Sequence, residues 1–136
     1  MPTTLDTLKQ LFSERRYQAM LDLAERDNIT AANDPVQGQA IASALFQLGR
    51  YAECQQWCEE LASSLANDPS FASLHGAVLR RQGQLLQAES IFKAAIESHP
   101  LDPMLRNNYA NLLIDLNRFD AAESILQQLL AEVPDY

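Results

Sequence analysis

Cys54 and Cys58 are the residues whose spacing first suggests chemistry. Four apart, they share one face of any helix that carries them, and a thiol pair so placed could bind metal or oxidise. Their separation is one residue longer than the Cys-x-x-Cys of redox and zinc motifs, and His75 and His99 stand apart from both. No metal-ligand set assembles. A nucleophile with a base and an orienting partner is equally absent, and Gly38, Gly49, Gly76 and Gly83 are too scattered to cradle a phosphate. The expectation is a non-enzyme with no cofactor and no catalytic or metal-binding residue.

Composition narrows the class. Over 136 residues, 10 Lys plus Arg stand against 18 Asp plus Glu, a formal charge of -8. An acidic surface repels a polyanion, so nucleic acid is excluded as the expected partner. With 47% hydrophobic and 21% charged residues the chain has enough apolar side chain to fold. The 7% aromatic content, four glycines and abundant Ala, Leu and Gln favour helices over a barrel or sandwich. No apolar run approaches the roughly 18 to 20 residues of a membrane span, and Met1 to Leu11 lacks the pattern of a secretion signal. With two cysteines, too few for a disulfide scaffold, these features predict a cytoplasmic protein without a membrane partner.

The elements that must position any site follow from an internal repeat. Asp34-Pro35, Asp68-Pro69 and Asp102-Pro103 recur at a spacing of 34, and a shift by 34 also superposes Gly49 on Gly83 and Asn117, and Cys54 on Ala88 and Ala122. Four such periods fill the chain: 1–34, 35–68, 69–102 and 103–136. Each Asp suits a helix N-cap, with the following Pro at the first helical position, where no amide is needed. In the last period Leu105, Tyr109, Leu112, Leu113 and Leu116 form one apolar stripe, and Phe119, Ala122, Ile125, Leu126, Leu129 and Leu130 form a second. Gly49, Gly83 and Asn117 fall between the two, where a left-handed residue ends the first helix. Arg15 holds that position in the first period. Since arginine disfavours the left-handed region, a differently built turn is expected there.

A 34-residue helix-turn-helix period with small residues at Gly76 and Ala88, the turn at Gly83, the aromatic Phe92 and the late Pro100 resembles the tetratricopeptide repeat. Residues 103–136 match through Ala110, Leu113, Phe119, Ala122 and Pro134, and residues 35–68 through Ala42, Leu45, Gly49 and Tyr51. The first period, which has Leu8 and Met20 where small residues are expected, is a degenerate copy. The resemblance implies an all-α, right-handed superhelix of four repeats forming a single domain over residues 1–136. It also places Cys54 and Cys58 in core columns, which makes packing their expected role.

The resemblance further implies a groove lined by the first helix of each repeat and filled by a partner protein or peptide. By register that groove presents Lys9, Phe12, Gln39, Ser43 and Phe46, then Ser73, Ala77, Arg80 and Arg81, then Asn107, Asn108, Asn111 and Asp115. Asparagine amides bond an extended backbone without reading its sequence, and arginine takes a carboxylate bidentately. The charged clamp that holds chaperone tails in some family members is broken at Ser43 and Ala77, so chaperone-tail binding is not expected. The resemblance also implies a polar-faced capping helix at the end of the array, and none is expected within these four periods. Ile125, Leu126, Leu129, Leu130 and Val133 therefore form an expected end interface through which copies of the chain could self-associate. A boundary falling on the period favours a further alternative, a non-catalytic interaction domain cut from a larger multidomain enzyme.

Overall fold

The computed structural model describes residues 1–133; Pro134 and Tyr136, the late proline and the last residue of the period, lie outside them. The described residues form eight α-helices and no strand: α1 Thr4–Ser13, α2 Tyr17–Arg26, α3 Pro35–Gln47, α4 Tyr51–Leu61, α5 Pro69–Arg81, α6 Leu85–Ser98, α7 Pro103–Asp115 and α8 Phe119–Glu132. They fall into two compact units, 1–66 and 67–136. In the first, α1 packs on α2 and α3 on α4, and α3 also touches α1 and α2. In the second, α5 packs on α6 and α7 on α8, with α7 also against α5 and α6.

The Asp-Pro dipeptides start helices as their chemistry dictates. Asp34, Asp68 and Asp102 accept hydrogen bonds from the amides of Gln37, Phe71 and Leu105, each at 3.0 Å, and a proline follows each cap. α1 lacks the dipeptide and uses a reciprocal box instead. Thr3 Oγ1 accepts from the Asp6 amide while the Asp6 carboxylate accepts from the Thr3 amide, and this second bond holds the carboxyl below its ordinary range.

The turns within the helix pairs correct one expectation. Arg15 has φ 59°, in the same left-handed region as Gly49 at 76°, Gly83 at 78° and Asn117 at 61°. The first turn is therefore built like the other three, not differently. In all four, the amide two residues beyond the helix-ending cap reaches back to close the helix: Arg16 to the Leu11 carbonyl, Arg50 to Leu45, Gln84 to Leu79 and Arg118 to Leu113. These closures outweigh the ~1 kcal/mol that a Cβ in this region costs. The second helix of each pair begins at Tyr17, Tyr51, Leu85 and Phe119, so the 34-residue step extends into the first pair.

The cores occupy the small-residue columns. Ala42, Cys54 and Cys58 in the first unit and Ala88, Ala110 and Ala122 in the second are all buried. Leu8 and Met20 are likewise fully buried, filling with bulk the columns that are small elsewhere. Gly76 is required by a close approach: a Cβ there would overlap the ring of Phe92, with even Cε2 only 2.8 Å away. Cys54 and Cys58 are unpaired thiols, and the bond that Cys58 shares with Cys54, reinforced by burial, pushes the Cys58 thiol above the ordinary thiol range.

Candidate partner-binding faces

In the first unit, the side-by-side packing of α1 and α3 leaves an open cavity of about 300 Å³ lined by Leu5, Leu8, Lys9, Phe12, Val36, Gln39, Ala40 and Ser43. Lys9, Phe12, Gln39 and Ser43 are thus brought together as register requires, since residues three or four apart on each helix share a face. Lys9 is the one charged group in an otherwise mostly apolar lining. Phe12 also packs edge-on against Tyr17, ring centres 5.4 Å apart, which fixes it to the following turn. Phe46 does not line this cavity; it makes the equivalent edge contact to Tyr51 at 5.2 Å.

In the second unit, α5 and α7 pack in the same way, but the chemistry differs. Arg80 is ion-paired through its Nε to Asp115 across the two helices, so two residues expected to meet a partner meet each other. Asn107, Asn108 and Asn111 are half-buried along α7, and their amides make no side-chain hydrogen bond to the described residues. Arg81 is exposed. Ser73 is a correction: only 3% exposed, with its hydroxyl buried, it faces the interior and is not presented to a partner. The error arises because α5 is buried around most of its surface, Phe71, Ala72, His75 and Gly76 included, so a polar residue there does not mark an outward face.

The expected end interface is corrected at one residue. Leu129 is 1% exposed and belongs to the core, whereas Leu130 is 52% exposed; Ile125, Leu126 and Val133 are half-buried. Two buried charges had no signal in the sequence. Arg106, on α7, is buried and ion-paired with Glu132 at the end of α8. Glu89, on α6, is buried and takes an ion pair from Arg118, with the Tyr109 hydroxyl at 3.4 Å and Lys93 Nζ at 3.7 Å. Burial first, and then the facing Glu89 carboxylate, push the Tyr109 phenol above its ordinary value. The contacts made by Arg106, Arg118 and Tyr109 each join residues 20 or more positions apart, beyond any local pattern.

Paired helices joined by left-handed turns and repeated every 34 residues define an α-helical repeat protein. The tetratricopeptide-repeat family model matches residues 79–136, and a second model of the same description matches residues 40–60. The chain belongs to the tetratricopeptide-repeat family, whose members are in general non-catalytic protein-interaction scaffolds. Among solved structures, the thermophilic TPR protein TTC0263 of Thermus thermophilus is similar with 26% identity and a TM-score of 0.80, over 94% of this chain and 72% of that one. MamA from AMB-1 is similar with 18% identity and a TM-score of 0.81, over 98% and 79%. MamA from Desulfovibrio magneticus RS-1 follows at 11% and 0.78, over 94% and 72%. At these two lower identities the likeness concerns the fold alone. No curated protein sequence matches the chain. Among the described residues no helix is long and apolar enough to cross a membrane, and no group of three or more His, Cys, Asp or Glu is placed to hold a metal.

Proposed function

We propose that residues 1–136 act as one tetratricopeptide-repeat domain of four periods that binds an extended segment of a partner protein. The α1–α3 cavity carries this reading. An open cavity of about 300 Å³ accommodates a bulky apolar side chain, while Lys9, Gln39 and Ser43 offer a cation, an amide and a hydroxyl to the flanking backbone and carboxylates. In the second unit Asn107, Asn108 and Asn111 supply sequence-independent contacts of the same kind. The role is positioning, without catalysis, and the two unpaired thiols suit a reducing compartment such as the cytoplasm.

The test is occlusion. Peptides selected from a random display library on the intact chain should bind Ala40→Phe at least about tenfold more weakly, because the new ring takes the space of the apolar anchor. An unchanged melting temperature would show that the fold survives. If every selected peptide binds wild type and Ala40→Phe equally, the cavity is not the site.

A further inference from the structure

α2, α3 and α4 enclose a second cleft, of about 360 Å³, that shares no residue with the α1–α3 cavity. Its apolar lining comes from Leu21, Ile29, Ile41 and Leu45, with Trp57 half-exposed beside them. Four charged residues also line it. Arg50 is paired with Glu53, donating from Nε to Oε1 at 2.8 Å and from Nη2 to Oε2 at 2.7 Å, and it forms no ion pair with the other two acidic residues. That leaves Asp22 and Glu25, three apart on one face of α2. Asp22 accepts only a neutral amide, from Gln18 Nε2 at 3.1 Å, and the Glu25 carboxylate has no hydrogen bond or ion pair among the described residues. The cleft therefore holds two exposed carboxylates with no ion-pair partner of their own, in a mostly polar wall beside Trp57 and over the apolar side chains of Leu21, Ile29, Ile41 and Leu45.

We propose that this cleft binds an arginine side chain of a basic peptide segment. A wholly apolar ligand would desolvate the carboxylates without replacing their hydration, which is unfavourable. An arginine supplies what is lacking: its methylene stem covers the apolar lining, its guanidinium forks onto Asp22 and Glu25, and its planar face lies on Trp57. Lysine lacks the planar fork and is more strongly hydrated, so arginine binds better. The site is separate from the α1–α3 face and stands whether or not that face binds a partner.

Trp57 is the only tryptophan, so its indole N–H resonance reports on this cleft alone. Titration of the full chain with an acetylated, amidated tri-arginine peptide should shift that resonance saturably, whereas the tri-citrulline peptide, isosteric and neutral, should not. The double variant Asp22→Asn/Glu25→Gln should weaken the response about tenfold. Glu97→Gln/Asp120→Asn, which removes the same charge from exposed positions in the second unit, should leave it within about twofold. The proposal is overturned if the resonance does not move, if citrulline moves it equally, or if both double variants weaken binding alike; the last result would assign the effect to net charge.

Discussion

The two units share one construction but close their faces differently. In residues 1–66 every ion pair among the described residues is local, Arg16 with Glu14, Arg26 with Asp27 and Arg50 with Glu53, and none ties one helix to another. In residues 67–133 ion pairs join α5 to α7 through Arg80 and Asp115, α7 to α8 through Arg106 and Glu132, and α6 to the turn before α8 through Glu89 and Arg118. The first unit holds two open clefts, and in the second the ion pairs run from helix to helix. Polar cross-links between helices thus specify geometry in one half, and the other relies on apolar packing with local ion pairs only.

Substitutions at two glycines break the comparison most strongly. Gly76→Ala forces a methyl into the Phe92 ring and should destabilise the second unit by about 2 to 3 kcal/mol, read as a lowered urea midpoint. Gly38→Ala, whose Cβ would meet the movable Leu61 Cδ2 at 3.0 Å, should stay within about 1 kcal/mol of wild type, because the gain in helix propensity offsets a small shift. Equal losses at both positions would contradict the difference in packing. An intermediate effect is expected at Arg118→Gln, which leaves the buried Glu89 with Lys93 and Tyr109 only. Stability should fall by about 1.5 kcal/mol. The Tyr109 phenol should also titrate still higher, since the Arg118 cation acts to lower it. Spectrophotometric titration that finds it unmoved would remove Arg118 from that cluster. The smallest change is a gain: Arg15→Gly relieves the left-handed strain and should raise stability by about 0.5 to 1 kcal/mol, reduced by the flexibility glycine adds to the unfolded chain.

Legibility followed the range of the interaction. The Asp-Pro starts, the turn positions and the small columns are set by contacts within one helix pair, and all were readable at a spacing of 34. The α1–α3 cavity was readable in part, because Lys9, Phe12, Gln39 and Ser43 share helix faces, while Leu5, Val36 and Ala40 carried no polar mark to single them out. Leu129 went to the wrong side because it lies one helix step from exposed Leu130, and Ser73 because α5 is buried around most of its surface. The pairing of Arg80 with Asp115, across 35 residues, depends on how α5 and α7 pack, which no periodicity encodes. Arg15 shows a residue preference of ~1 kcal/mol yielding to backbone closure and packing.

The buried cysteines have a use that follows from their silence. Thiol reagents attack the thiolate, and at Cys58 both burial and the bond with Cys54 suppress that form. Modification must therefore wait for α4 to lift from its seat. The rate of labelling in native buffer becomes a stopwatch on how often the first unit breathes, and slower labelling with a bound peptide would register occupancy without any engineered residue.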